Sequence, residues 1–220
     1  GLGYVWYRAL GFERPLTPLG HELPFRVPPI ARAFAQLGGM KATPGAAVAA
    51  LRDHGRDALV MPGGDVDVFR PYSDRYRVCF GGHLGYARVA LEADVPVVPV
   101  ANSGAHASLV VLRRGERLAG ALGLRRLRAH SFPISLTVPW GLTVGPWPHI
   151  PLPTRFRYRF GEPVQLPRTF LRRLDAHGKP TAEAVAELDH RVRVEMQRLL
   201  NELKDVTPGF GQRLRRGLRA

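Results

Sequence analysis

Residues 57–102, DALVMPGGDVDVFRPYSDRYRVCFGGHLGYARVALEADVPVVPVAN, decide the fold of this chain. The stretch begins with the apolar run 58–61, which ends at a Pro-Gly-Gly turn, and it closes with the apolar run 95–100. Between these runs, residues 82–92 carry apolar side chains at near-helical spacing. A strand, a turn, a helix and a second strand in this order form a crossover unit, whose two strands are usually parallel. The stretch therefore predicts an α/β fold with a mostly parallel central sheet flanked by helices.

The glycine turn lies where such sheets place their function. Pro62, Gly63 and Gly64 follow the first predicted strand directly, at its carboxyl end. Glycines at this place let backbone N–H groups approach a ligand closely, often an anion. The same tripeptide is also typical of a tight turn that needs a positive φ. Taken alone it favours the plain turn.

Three segments in a fixed order resemble the glycerolipid (1-acylglycerol-3-phosphate) acyltransferases, in particular a bacterial branch with Pro-Gly-Gly. They are the turn at 62–64, the helical segment 85–90 (GYARVA) and the strand segment 95–100 (VPVVPV). The resemblance extends over about residues 14–163. It implies a glycerol-phosphate acyltransferase-like fold. It also implies transfer of a fatty acyl group to the hydroxyl of a lysophospholipid or related glycerolipid, in phospholipid biosynthesis. Acyl-CoA or acyl-carrier protein would be the co-substrate, with no further cofactor.

The catalytic pair of that family is not found in this chain. The family uses the histidine of a His-x-x-x-x-Asp motif as general base, with the aspartate orienting the imidazole. None of the eight histidines here has an aspartate five residues later. In the family the motif precedes the part that resembles residues 14–39. We therefore expect it upstream of Gly1 in a longer chain, or else an inactive relative, and we assign no catalytic residue.

The resemblance does assign substrate-binding residues. In the family, the block at the turn contacts the phosphate of the acceptor, which here corresponds to Pro62, Gly63, Gly64 and Asp65. Val66 stands where the family has an arginine. Arg70 is the predicted replacement, and Arg75 or Arg77 are alternatives, because arginine can grip a phosphate with two hydrogen bonds.

Other chemistry-bearing pairs have plainer interpretations. Asp65 and Asp67 suggest a metal site, but without a third ligand in sequence a capped turn is the better interpretation and no metal is predicted. Ser103 and His106 suggest a nucleophile, but no third partner can be named. The single Cys79 forms no internal disulfide, which suits a reducing compartment, and is predicted as a small buried filler.

The charge of the chain points to anionic partners. Lys and Arg number 32 against 18 Asp and Glu, a formal net charge of +14. The basic segment 113–128 suits an anionic membrane surface and an ordinary amphipathic surface helix equally well, and the basic tail 208–220 could also lie on such a membrane. We therefore predict a peripheral protein at the cytoplasmic face of the membrane. The alternative is a non-catalytic, Arg-rich module that binds anionic lipid or nucleic acid, although no nucleic-acid-binding motif is present.

The spacing of apolar and helix-capping residues predicts the remaining helices, and the resemblance predicts the domain organisation. We expect a single acyltransferase-like domain over 1–220, with a family-like core at 1–165. Apolar residues at steps of three and four predict a C-terminal amphipathic helix at 181–204. Shorter helices are predicted at 28–37 and 44–52. Trp140 suits either a bilayer interface or a plain core, and the core is preferred.

Overall fold

The computed structural model describes residues 2–20, 25–123, 131–145, 150–170 and 173–207, without the side chains of residues 9, 10 and 65. The predicted tail 208–220 and residues 124–130 of the basic segment lie outside this part. The described helices are α1 (Leu2–Leu10), α2 (Pro28–Gln36), α3 (Pro44–Arg52), α4 (Gly64–Val68), α5 (Gly85–Ala93), α6 (Ala105–Ser108), α7 (Glu116–Ala121) and α8 (Ala182–Val206), with a 3-10 turn at Tyr72–Asp74. The described strands are β1 (Leu16–Gly20), β2 (Met40–Lys41), β3 (Asp57–Leu59), β4 (Val100–Ser103), β5 (Val110–Arg113), β6 (Ile134–Thr137), β7 (Gly141–Val144) and β8 (Arg157–Phe160).

The chain divides into two compact units. Unit 1 consists of Gly1–Pro62, Gly82–Val97 and Pro163–Val192. Its sheet has the order β2-β1-β3, and both neighbouring pairs are parallel. Helix α3 begins at the predicted N-cap, where the Thr43 hydroxyl accepts a hydrogen bond from the Ala46 N–H at 3.4 Å. Small buried residues line the helices that pack in this unit, Ala47 and Ala50 in α3 and Ala87 and Ala90 in α5.

Unit 2 consists of Gly63–Gly81, Val98–Glu162 and Arg193–Ala220. It contains the antiparallel pair β4-β8 and the antiparallel sheet β5-β6-β7. A cluster of buried residues packs around the second half of α8: Ala101, Leu199, Leu200 and Leu203, with Val78 and Met196 against them. Gln197 of the same helix half accepts from the Val78 N–H at 3.1 Å and donates to the Tyr76 carbonyl at 2.8 Å. These two bonds hold the segment that follows the glycine turn.

The mixed α/β class predicted from residues 57–102 is confirmed, and its helix is present as α5. The second apolar run, 95–100, is not one strand. Val97 makes an isolated antiparallel bridge with Val164, and β4 begins only at Val100, antiparallel to β8. Pro96 and Pro99 have no N–H to donate to a strand ladder, which explains the interruption. Among the described strands, parallel pairing is therefore confined to β2-β1-β3 rather than forming one mostly parallel sheet.

The predicted C-terminal helix is present as α8, and Thr181 caps it by accepting from the Ala184 N–H at 3.2 Å. Among the described residues, no helix combines the length and apolar character that crossing a bilayer requires.

The preferred core placement of Trp140 is wrong, because its side chain is 59% exposed beside the β6–β7 turn.

Candidate functional site

The two turn glycines are required for different reasons. A Cβ on Gly63 would lie 2.3 Å from the Cβ of Asp67 and 2.3 Å from the carbonyl oxygen of Cys79, so the chain itself fills that space. Gly64 has a φ of 51°, and a Cβ there would meet nothing within 4 Å. Both observations explain the turn without a ligand. The predicted substrate contacts of Pro62, Gly63 and Gly64 stay predictions, and the side chain of Asp65 lies outside the described part.

Arg70 lies in the interior of unit 2, with 5% of its surface exposed. Its Nη1 forms an ion pair with Oδ1 of Asp67 at 3.4 Å, and its Nη2 lies 2.7 Å from Nε2 of His106. A guanidinium has donors only, so Nε2 of His106 must be the acceptor. The proton of the neutral imidazole therefore sits on Nδ1.

Burial and charge fix the protonation of this cluster. Burial, reinforced by Arg70 and Arg75, lowers the pKa of His106 from 6.5 to about 4. Burial raises the pKa of Asp67, while Arg70 and Arg114 act in the opposite direction. His106 is thus uncharged at neutral pH and can donate a hydrogen bond only through Nδ1.

A pocket opens beside this cluster within unit 2. Its lining comes from the 3-10 turn and the residues after it, from the end of β4, from α6 and from the end of α8: Tyr72, Arg75, Tyr76, Asn102, Ser103, Gly104, His106, Ala107 and Thr207. Gly104, with a φ of 105°, turns the chain from β4 into α6 and so brings His106 to the lining. The backbone carbonyl of Arg155 would lie 2.3 Å from a Cβ at this position, so the turn requires glycine.

Arg75 is the cation of the pocket. Its Nη1 donates to the Tyr72 carbonyl at 2.8 Å, and its guanidinium lies 4.1 Å from the centre of the Tyr72 ring and 5.0 Å from that of Tyr76. These stacking contacts restrain the side chain. Among the described residues, no carboxylate forms an ion pair with Arg75. The pocket therefore presents an uncompensated positive charge with free donor capacity, next to the neutral donor of His106.

The Ser103 and His106 pair does not form a nucleophile and base. The hydroxyl of Ser103 lies 3.0 Å from Oγ1 of Thr207, and the acceptor nitrogen of His106 is taken by Arg70. Both side chains line the pocket without the serine-to-imidazole bond that activation requires. Among the described residues, no group of three or more His, Cys, Asp and Glu side chains could hold a metal ion.

The structure shows which of the three predicted arginines lines the pocket. Arg70 is buried behind His106 and does not line the pocket, whereas Arg75 does. Arg77 is exposed and pairs with Asp74 at 3.8 Å. Sequence reasoning did not assign Tyr72 or Tyr76 to the site. The interleaving of tyrosine and arginine in residues 70–77 (RPYSDRYR) was the available signal, because such patterns are typical of stacked cations.

Comparison with known proteins gives relatives without an assigned activity. The chain is 30% identical over 152 residues to uncharacterized proteins of Mycobacterium bovis and Mycobacterium tuberculosis, and 28% identical to one of Mycobacterium leprae. The match covers 69% of this chain and 40% of the first two relatives, so the chain spans about two fifths of their length. No protein-family model matches the chain. No solved structure matches it either.

Proposed function

We propose that this chain is the acceptor-binding part of an O-acyltransferase with a glycerol-phosphate acyltransferase-like fold. The enzyme would move a fatty acyl group from acyl-CoA or acyl-carrier protein to the hydroxyl of a lysophospholipid, at the cytoplasmic face of the membrane. The order of three sequence segments supports the proposal: the turn at 62–64, the helical segment 85–90 and the segment VPVVPV at 95–100. The observation that carries it is Arg75, a stacked guanidinium that lines a pocket with no carboxylate partner among the described residues.

The acceptor phosphate would bind to Arg75. A guanidinium matches two phosphate oxygens with parallel hydrogen bonds, each worth about 1.5–3 kcal/mol when charge-assisted. His106 would add its Nδ1 donor, and it carries no charge that would need a counterion. Arg70 would act as a positioning residue, because its bond to Nε2 fixes the orientation and tautomer of His106.

The proton transfer of the reaction is assigned to no residue of this chain. The acceptor hydroxyl must lose its proton to a general base as its oxygen attacks the thioester carbonyl and the thiolate leaves. His106 does not fit this role, because its acceptor nitrogen already receives a hydrogen bond from Arg70. In the proposal this chain binds and orients the acceptor, and a His-x-x-x-x-Asp pair elsewhere in the full-length gene product removes the proton.

The test is transfer of a labelled acyl group to lysophosphatidic acid by the full-length gene product, with acyl-CoA and acyl-carrier protein as donors. We expect transfer, and we expect Arg75→Ala to raise the acceptor KM about tenfold or more while kcat changes less. Arg77→Ala, two residues away and exposed, is the matched control with wild-type KM. No transfer from either donor to any lysophospholipid would overturn the proposal. Robust transfer by residues 1–220 alone would overturn the assignment of the base.

The alternative, a non-catalytic Arg-rich module, is supported by the net charge of +14. It predicts that the full-length protein binds anionic lipid or nucleic acid without acyl transfer. Tighter binding to DNA than to anionic vesicles at equal salt would favour it over the acyltransferase.

A further inference from the structure

Strands β6 and β7 have an inverted distribution of polar and apolar side chains. In β6, Ser135 and Thr137 are buried, whereas Leu136 between them is 49% exposed. In β7, Thr143 is buried, whereas its neighbour Leu142 is 66% exposed. An antiparallel sheet with one solvated face normally buries its apolar residues and exposes its polar ones. Here β6 and β7 do the opposite, whereas β5 buries Val111.

The register makes the exposed apolar residues contiguous. Leu136 lies opposite Leu142, and Ile134 lies opposite Val144. Directly opposed residues of an antiparallel pair share one face, so these four side chains form one patch. Val138 follows β6 and pairs with Ile150, and Trp140 directly precedes β7; all three side chains are exposed. We call this surface the outer face; it comprises Ile134, Leu136, Val138, Trp140, Leu142, Val144 and Ile150.

Hydrogen bonds explain how two of the three buried hydroxyls, those of Thr137 and Thr143, tolerate burial. Thr143 Oγ1 donates to the Ser135 carbonyl at 3.2 Å, and Thr137 Oγ1 donates to Thr143 Oγ1 at 3.4 Å. These bonds give partners to the hydroxyls of Thr137 and Thr143, whereas Oγ of Ser135 is buried without a partner in the described part of the chain. A slip of register by one residue would exchange the two faces. The observed register instead directs the leucines outward, which indicates that the outer face meets an apolar environment.

Charge distinguishes among the possible occupants. Arg113 in β5 lies in register with Ile134 and is exposed, so a cation borders the outer face. Arg117 in the following helix is also exposed. A second copy of this chain would bring another net charge of +14, and this repulsion opposes self-association. An anionic bilayer instead offers phosphates to the arginines, an apolar interior to the leucines and an interfacial layer that suits an indole.

We propose that the outer face docks this protein onto the surface of an anionic phospholipid bilayer, with Leu136, Leu142 and Trp140 inserted below the headgroups. This inference rests on the proposed function in one respect: a lysophospholipid acceptor lies in a bilayer, which gives the protein a reason to bind one. The inverted faces of β6 and β7 do not depend on the proposed function.

The experiment is co-sedimentation of the 220-residue chain with vesicles of phosphatidylglycerol and phosphatidylcholine, containing no lysophospholipid and no acyl donor. The variant Leu136→Thr/Leu142→Thr removes apolar surface but keeps residues that favour strands. We expect it to bind about tenfold more weakly. The matched control is Val194→Thr/Val206→Thr, which changes two exposed valines of α8 in the same unit and should bind as wild type.

A second measurement does not depend on the folding of the leucine variant. With Trp6 and Trp147 replaced by phenylalanine, lipid-borne bromine should quench the fluorescence of Trp140 on vesicle binding. A protein that retains only Trp6 should be quenched much less. Wild-type binding by the leucine variant, absence of binding to anionic vesicles, or an oligomer that the leucine variant dissociates would each overturn the inference. Docking without acyl transfer would overturn the proposed function alone, and transfer without docking would overturn this inference alone.

Discussion

Nη2 of Arg70 donates to Nε2 of His106 over 2.7 Å, and this bond links a buried cation to the lining of the pocket. Nε of the same guanidinium is buried without a partner in the described part of the chain. Arg70 is thus a buried side chain whose guanidinium contacts Asp67 and His106. A buried charge with few partners is costly unless each partner is kept, so this cluster depends on all three residues.

Arg70→Ala should destabilise the protein. The substitution leaves Asp67 without its ion pair and His106 without its donor in a buried environment, which lowers the free energy of unfolding by on the order of 2–4 kcal/mol. Arg70→Lys should recover part of this loss, because it keeps the charge but cannot reach both partners with a planar fork. Arg77→Ala is the control and should change little, since that arginine is exposed. Urea unfolding measures all three. An Arg70→Ala protein as stable as wild type would exclude the structural role.

Stability should fall as the pH decreases from about 6.5 to about 4. The unfolded chain protonates His106 near its ordinary pKa of 6.5, but the folded protein does so only near pKa 4. The unfolded state therefore binds more protons across this range, and acid favours unfolding by on the order of 2–3 kcal/mol at full effect. Urea unfolding at several pH values measures the slope.

His106→Gln should remove this dependence, since glutamine can still accept from Arg70 and does not titrate. Asp67 acts oppositely, because the raised pKa of its buried carboxyl contributes stability that is lost as the pH rises above 3.8. Its effect is present in both proteins, so the difference between them isolates His106. Identical slopes in wild type and His106→Gln would show that His106 does not titrate as described.

The two turn glycines should respond differently to the same substitutions. Gly63→Ala places a methyl group 2.3 Å from backbone and side-chain atoms, so we expect a loss of on the order of 3 kcal/mol. Gly64→Ala has open space and suffers only from its positive φ, at about 1 kcal/mol. Gly64→Asn should cost less than Gly64→Ala, because asparagine tolerates the left-handed region. Thermal unfolding of the three variants tests the order, and a larger loss for Gly64→Ala than for Gly63→Ala would contradict it.

The local elements of the fold could be predicted from the sequence. Proline at the first helical turn and threonine at the N-cap predicted 44–52, which is helix α3 (Pro44–Arg52). Apolar spacing predicted the long C-terminal helix, present as α8. The interruption of 95–100 was readable from the sequence, because Pro96 and Pro99 cannot donate to a strand ladder. Its partners were not, because Val164 and β8 lie about 60 residues further along the chain and no local pattern indicates them. Trp140 was misplaced because hydrophobicity alone does not tell which face of a sheet is covered.

The site was predicted only in outline. Sequence placed a cationic residue after the glycine turn, but it could not choose among Arg70, Arg75 and Arg77. That choice depends on contacts with residues distant in sequence, since His106 faces Arg70, whereas the tyrosines beside Arg75 hold it at the pocket. Thr207 lines the pocket from more than a hundred residues away, and no local pattern indicates such a partner.

Titration calorimetry of the 220-residue chain can show whether Arg75 makes this pocket a phosphate site. The two ligands are short-chain lysophosphatidic acid and the matching monoacylglycerol, both below their micelle-forming concentrations. We expect the phosphate-bearing ligand to bind at least about tenfold more tightly. We also expect Arg75→Ala to remove this preference and Arg77→Ala to keep it. Equal affinity of wild type for the two ligands, or an undiminished phosphate preference in Arg75→Ala, would contradict the claim that Arg75 makes this pocket a phosphate site.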